Sequence, residues 1–311
     1  VTGSAPDPAL GVNHRVLRAT GLRAGIVHRS ADVTAFTAGE ARVLVERHAL
    51  ATVLDLRSEQ EVERYGPPHA LLAHGVRLQR TPLTGYSRDA IAARRPDVAA
   101  RTHYLHGILT DSVPGSWHSL FQALAGAADR PFLVACHFGK DRTGVVVAML
   151  LALAGVPAGE IAADYAAGAA DLVAKADHFR DKWLRRGHTR EDYLSRLRTS
   201  PATMERWLAE VADRYGGAEA ALAGAGAAPS DVARVRGLLS APSRAAVQAV
   251  PAGPVDGAAD DEPVGGTVGG QLDGPVGGAG PVGSRLDEPV GGAVGGAVGG
   301  AVDGAAPGGA R

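Results

Sequence analysis

Residues 131–144 read PFLVACHFGKDRTG, and this stretch constrains the chain more than any other. Phe132 to Ala135 is a short apolar run that predicts a buried strand, and Thr143 to Ala154 is apolar enough and long enough to predict a core helix. Between them lies a loop from Cys136 to Arg142 with one glycine. A strand, a glycine-containing loop and a helix N-terminus make an anion site, because unpaired backbone N–H groups and the positive end of the helix dipole meet in the loop. That setting favours the thiolate form of a cysteine placed in it. An arginine six positions on can fork two hydrogen bonds onto a phosphate. A nucleophile, an anion cradle and a bidentate clamp within seven residues predict a cysteine-dependent phosphatase.

The bulk properties narrow the alternatives. The 311 residues are 45% hydrophobic with a formal net charge of −1. That is enough for one large domain or two small ones, and it gives no reason to expect a nucleic-acid partner. One cysteine forms no intramolecular disulfide and no cysteine-based metal site. The longest apolar run, Val145 to Val156, is too short to span a bilayer, so no integral membrane segment is expected. The first residues, VTGSAPDPAL, show no signal-peptide pattern, and the expected location is cytoplasmic. Arginine far outnumbers lysine, which with abundant Ala and Gly points to a GC-rich bacterial genome. Lys140 is then notable, since the other lysines are only Lys175 and Lys182.

In chain order, residues 1–12 read as a loose leader, 13–240 as the catalytic domain and 241–311 as a disordered tail. Gly25 to Arg29, Thr52 to Leu56 and Val76 to Thr81 predict strands. Thr37 with Glu40, and Ser58 with Glu61, have capping-box spacing and open two helices. Residues 83–101 are polar, arginine-rich and irregular, as expected of a mobile loop over a site. Helices are expected near 102–111 and 116–128, with Ser116 as a cap. Further helices are expected at 157–167, 170–184, 189–197 and 201–215, and over 231–239 with Ser230 or Asp231 as cap. From about residue 251 the chain is dominated by Gly, Ala, Val, Pro and Asp, with DEPVGG at 261–266 and 287–292. Such a segment buries too little apolar surface to offset ordering entropy.

CHFGKDRTG resembles the active-site loop of the protein tyrosine phosphatase superfamily, and GKDRTG is similar to the bacterial tyrosine/dual-specificity branch whose loop reads HCxxGKDRTG. GIVHRSADV at 25–33, TVLDLRSEQEVERYG at 52–66, IAADYAAG at 161–168 and the run from RYGGAEAALAGAG to DVARVRGLL at 214–239 are similar to other segments of that branch. The resemblance implies an α/β fold: a small, largely parallel twisted sheet flanked by helices. It implies Cys136 as nucleophile, Arg142 as phosphate clamp, and the amides of His137, Phe138, Gly139, Lys140, Asp141 and Arg142 as cradle. It implies Thr143 as the hydroxyl that assists the thiolate's departure. Lys140 would add charge for substrates with more than one phosphate, so the implied substrates are phosphoproteins or phosphoinositides. No metal or organic cofactor is implied.

Two departures stand out. The branch's histidine before the cysteine is Ala135 here, which predicts weaker thiolate stabilisation and a slower enzyme at neutral pH. No Trp-Pro-Asp loop exists, since Trp117 precedes His118. The candidate general acids are Asp141, slightly favoured by its place in the loop, and Asp89. The loop is not a Walker motif, because Val134 stands where that motif needs glycine and Asp141 where it needs Ser or Thr. A phosphate-binding pseudophosphatase is the competing reading, and a rhodanese-like sulfur transferase a more distant one. Arg57 reads equally as a phosphate contact or as half of a structural ion pair. The arginines at 88, 94, 95 and 101 read as a solvated face, His103 and His106 as a surface pair, and His137 as a residue of the pocket mouth.

Overall fold

The computed structural model describes residues 10–84, 97–127, 129–185 and 187–240. These belong to the first of two units, Val1–Ala252; the second, Gly253–Arg311, lies outside the described residues. The expected disordered tail, Asp89 and the arginines at 88, 94 and 95 therefore also lie outside them. Five strands form one sheet in the order β1-β2-β5-β3-β4: β1 (Arg15–Val16), β2 (Val27–Ser30), β3 (Thr52–Asp55), β4 (Arg77–Arg80) and β5 (Phe132–Ala135). Only β1 pairs antiparallel, so the sheet is largely parallel, as the fold-class expectation requires.

β5 takes the centre because both of its faces are apolar. Phe132 and Val134 enter one core with Val27 and Leu54, while Leu133 and Ala135 enter another with Val33, Leu44, Val53 and Leu71. A strand buried on both sides reads as a continuous apolar run, which is what the sequence shows. The register sets Ser30, Ala135 and Asp55 side by side at the carboxyl ends of β2, β5 and β3. The chain leaves β5 with parallel neighbours on either hand, and open α/β sheets hold their ligands in the crevice at such a point.

Helices cover both faces. α1 (Ala38–Glu46), α2 (Glu59–Tyr65) and α3 (His69–Ala73) follow β2 and β3; α4 (Val98–Thr110) and α5 (Ser116–Ala125) precede β5. α6 (Asp141–Leu153) follows the loop and buries Thr143 through Leu151, flanked by α7 (Ala158–Ala167). The apolar, all-round surface of α6 is the mark of a helix enclosed by others. Gly144 sets the α6–α7 distance, since a Cβ there would lie 2.8 Å from the Tyr165 ring. Next come α8 (Ala169–Ala174), a 3-10 turn (Ala176–Phe179), α9 (Arg180–Arg185), α10 (Arg190–Leu197), α11 (Pro201–Tyr215), α12 (Ala218–Gly224) and α13 (Pro229–Leu239).

Both expected capping boxes are present, Thr37–Glu40 and Ser58–Glu61, and Thr189–Asp192 forms a third. Several expectations need correction. Residues 170–184 are two helices joined by a 3-10 turn, although Leu172, Ala176, Phe179 and Trp183 keep helical spacing and are all buried. α3, α12 and the two-residue β1 are additional elements. Ser116 is the first helical residue and Gly115, with a left-handed backbone, is the cap; Ala228 rather than Ser230 or Asp231 caps α13. Residues 10–12 are packed rather than loose: Leu10 and Val12 are buried, and Gly11 is bonded through its N–H to Glu40 and through its C=O to Lys175.

Beside β1 and β2, His14 and His28 lie buried with Nε2 and Nδ1 3.3 Å apart, and the His48 ring stands edge-on to His28. Burial is the main cause that pushes His14 and His28 each down to about 3; repulsion from His48 and Arg15 adds to it at His14, and repulsion from His14 and His48 at His28. Such histidines are neutral in the fold and protonate on unfolding below their ordinary value. The unfolded chain therefore binds more protons as pH falls from about 6.5 towards 3, and stability drops through that window. The loss is expected to reach about 1.4 kcal/mol per pH unit for each histidine. Urea midpoints at pH 7 and pH 5 check this; equal midpoints would show that the pair is not held neutral.

Candidate active site

Cys136 follows β5 directly and is 2% exposed. Carbonyls of the loop that follows are turned outward and bound from behind. His137 C=O accepts from the Asp32 N–H, Phe138 C=O from Asn13 Nδ2, and Gly139 C=O from both Asn13 Nδ2 and an Arg29 guanidinium nitrogen at 2.7 Å. Lys140 C=O accepts from the Gly144 N–H and starts α6. Among the described residues no hydrogen bond is donated by the amides of His137, Phe138 or Gly139. A loop whose carbonyls face out leaves its N–H groups for the concave side, which is the arrangement that holds an anion. Gly139 has φ +58, and a Cβ there would stand 2.3 Å from the Ser30 carbonyl oxygen. The loop lies flat on the end of β2, so glycine is required both by conformation and by space.

Two polar groups, one buried and one half-buried, fix the loop. Asp164 of α7 takes hydrogen bonds from Arg15 and from Arg29, all three being nearly inaccessible. Burial alone would raise the Asp164 carboxyl, but the two guanidiniums outweigh it and hold it below its ordinary value. On the other flank, Arg142 donates to both oxygens of Glu61 at 2.7 and 2.9 Å and to Leu56 C=O at 3.0 Å. Burial opposes ionisation of Glu61, yet Arg142 and then Lys182, 3.5 Å away, keep it well below the usual carboxylate range. Fork-to-fork pairing of this kind sets both the position and the plane of the guanidinium.

A model of the tyrosine phosphatase family matches residues 11–241. The chain belongs to that family. A tyrosine-protein phosphatase from Nostoc commune is 30% identical over 253 residues, covering 75% of this chain and 81% of its own length. The triple specificity protein phosphatase PtpB of Mycobacterium tuberculosis is 29% identical over 174 residues, covering 47% of this chain and 62% of its own. The crystal structure of P. aeruginosa TpbA is similar over 62% of this chain and 94% of its own at 18% identity, with a TM-score of 0.30. The chain is accordingly a tyrosine phosphatase.

In this phosphatase several residues lie elsewhere than the sequence suggests. His137 is buried rather than at the pocket mouth: its ring stacks on Tyr65 at 4.8 Å and meets the edges of Phe138 and Phe179. Burial, followed by repulsion from Lys182, lowers it to about 3, so it is neutral. Lys140 is also buried, with Nζ 2.9 Å from Arg196 C=O and 3.0 Å from Asp141. Asp141 further faces Arg101 at 3.6 Å and accepts a hydrogen bond from the Tyr165 hydroxyl at 3.3 Å. Arg101 is therefore a buried partner, not part of a solvated face. Arg57 pairs with Asp55, both fully buried, which settles its two readings in favour of the structural one. His106 is buried against Trp207 and Glu210 rather than exposed beside His103. The Thr143 hydroxyl is buried and has no hydrogen-bond partner among the described residues. Ala135 is fully buried, and its side chain belongs to the core beneath the sheet.

Sequence reasoning missed Glu61, Asp164, Arg15 and Asn13. Glu61 carried a signal, but its capping-box position supplied a complete local explanation for it. Asp164, Arg15 and Arg29 meet only through the tertiary fold. Among the described residues no helix is long and apolar enough to cross a membrane, and no group of three or more His, Cys, Asp or Glu is placed to hold a metal ion.

Proposed function

We propose that the chain hydrolyses phosphotyrosine in two steps through a cysteinyl-phosphate on Cys136. The observation that carries this reading is the loop itself: outward carbonyls behind Cys136 and an arginine pre-set by Glu61 at its far end. The Cys136 thiolate attacks phosphorus in line and displaces the tyrosyl oxygen. The loop amides from His137 to Arg142 and the Arg142 guanidinium stabilise the equatorial oxygens as charge builds on them. Water then attacks phosphorus, the S–P bond breaks and phosphate leaves. Thr143 is assigned the role of donating to the departing thiolate, and its unpartnered hydroxyl is available for it. Phosphoserine, phosphothreonine and phosphoinositides extend the proposed range, in keeping with the relative described as having triple specificity.

Acid quenching during turnover of an aryl phosphate tests this mechanism. Mass spectrometry is expected to find one phosphoryl group on the Cys136 peptide. Turnover that persists with no label on that peptide would rule out the covalent route, and binding without turnover would favour the pseudophosphatase.

The setting of Asp141 supports a brace rather than a general acid. An acid must reach the substrate protonated, whereas Lys140 and Arg101 beside Asp141 favour the carboxylate. Asp89 is then the acid in this proposal. Asp89→Asn is expected to slow phenyl phosphate by roughly 10²–10³-fold and an activated aryl phosphate far less. Asp141→Asn is expected to slow both alike, by loosening the loop. The reverse pattern would return the acid to Asp141.

A further inference from the structure

Asn13 stands directly behind the catalytic loop in a conformation that few residues adopt. It lies between the buried Val12 and β1, is 1% exposed and has φ +55, a region that asparagine enters more readily than most side chains. Such a backbone persists only where its surroundings over-determine it. Here the Asn13 N–H donates to Asp171 of α8 at 2.6 Å, and the Arg15 guanidinium donates to Asn13 Oδ1 at 2.6 Å. Nδ2 donates to two successive loop carbonyls, Phe138 at 3.2 Å and Gly139 at 3.0 Å. Gly168, the residue that ends α7, leaves room for this amide, since a Cβ there would stand 2.2 Å from Oδ1.

The two ends of this amide cannot be exchanged. A guanidinium only donates and a carbonyl only accepts, so the oxygen must face Arg15 and the nitrogen must face the loop. Asparagine offers an acceptor on one side and two donors on the other. Aspartate would fill the same space and still satisfy Arg15, whose charge keeps a carboxyl there ionised. It would, however, turn an acceptor towards two carbonyl oxygens. Alanine would leave both the carbonyls and Arg15 without this partner.

What these bonds fix is the opposite side of the loop. In a trans peptide the N–H points away from the C=O of the same unit. Phe138 C=O and Gly139 C=O are held towards Asn13, so the N–H groups of Gly139 and Lys140 point away from it, to the concave side. Gly139 C=O takes a second bond, from Arg29 at 2.7 Å, so both of its lone pairs are engaged. Donors onto a carbonyl polarise the peptide unit and strengthen the N–H at its other end. We propose that Asn13 is a positioning residue for the phosphate cradle: through the two peptide units it binds, it aims and polarises the Gly139 and Lys140 amides at the phosphoryl oxygens. The proposal rests on the phosphatase reading above and gives its cradle a working part far from Cys136 in sequence.

The test compares Asn13→Asp, Asn13→Ala and wild type as full chains, at a temperature where each is folded. For an aryl phosphate, kcat/KM is expected to fall about tenfold in Asn13→Ala and about 10²-fold in Asn13→Asp, as two cradle donors lose their aim. The order decides between roles. A residue that only fills space and satisfies Arg15 gives the reverse order, since aspartate does both and alanine does neither. Amide NMR during titration with inorganic phosphate supplies the second reading. The Gly139 and Lys140 amide protons are expected to move downfield in wild type and much less in either variant. Gly168→Ala pushes on Asn13 without changing its chemistry and is expected to shrink the same two shifts. Loss of kcat/KM in Asn13→Asp of under about twofold overturns the proposal, and so does a lower value in alanine than in aspartate. Should Asn13→Asp not fold, Asn13→Ala and Gly168→Ala carry the test, and an unchanged phosphate response of Gly139 and Lys140 in either overturns it. If wild type turns over no aryl phosphate, the phosphatase reading has failed. The cradle is then judged by phosphate affinity, and a Kd for inorganic phosphate that is equal in wild type and Asn13→Ala overturns the proposal.

Discussion

Cys136→Ser is expected to lower turnover of an aryl phosphate by on the order of 10⁴-fold or more while leaving the fold in place. The reasons are chemical and local. A hydroxyl at this position is far harder to ionise than a thiol, and a helix N-terminus does not close that gap. The side chain is buried at the end of β5, and exchanging sulfur for oxygen changes its volume little, so the stability from urea unfolding should change by no more than about 1 kcal/mol. The clamp and the cradle are untouched, because Arg142 is positioned by Glu61 and Leu56 and the loop by Asn13 and Arg29. The variant should therefore still bind phosphotyrosine and the product phosphate. Initial rates, phosphate titration and urea unfolding on the same preparation check all three parts. Residual turnover within a hundredfold of wild type would mean that another group carries the attack.

What the sequence disclosed about this fold follows the range of the forces involved. β5 and α6 were legible because burial on every side writes itself as an uninterrupted apolar run. The starts of α1 and α2 were legible because a capping box is a contact between residues three apart. The break inside 170–184 was not, since the apolar spacing of Leu172, Ala176, Phe179 and Trp183 continues across it. Periodicity reports which side faces the core and is blind to a tightened turn. β1 escaped notice because two residues carry no period at all.

The site divides in the same way. The loop from Cys136 to Lys140 was legible as a strand-to-helix connection because strand, loop and helix are contiguous in sequence. His137 was placed at the mouth because it lies in the loop, yet Tyr65 and Phe179, both distant in sequence, enclose it. Lys140 and Asp141 looked like substrate-facing charges. The fold turns them towards each other, Arg101 and Arg196 instead. Charges acquire a direction only from tertiary neighbours, so the orientation of Lys140 and Asp141 was not legible in the loop sequence.

Asp164→Ala is expected to be the most damaging single substitution outside the loop, at about 3–5 kcal/mol. The carboxylate is the shared partner of Arg15 and Arg29, and both guanidiniums are 1% exposed. Removing it strands two like charges in the interior, where the repulsion between them already lowers Arg15 to about 10 together with burial, the larger cause. For a domain with a total stability of roughly 5–15 kcal/mol, that is a large fraction, and a fall in Tm of about 6–20 °C follows for a chain of this size. Asp164→Asn keeps the shape and some acceptor capacity but loses the charge, so it should fall between wild type and alanine. Activity should drop further than the folded fraction explains. Arg29 donates to Gly139 C=O, and an Arg29 freed from Asp164 no longer fixes the loop from behind, although Asn13 still holds the same carbonyl. Thermal unfolding and kcat measured well below the new Tm separate the two effects. A normal kcat in the folded Asp164→Asn protein would reduce the Arg15–Asp164–Arg29 group to a structural role only.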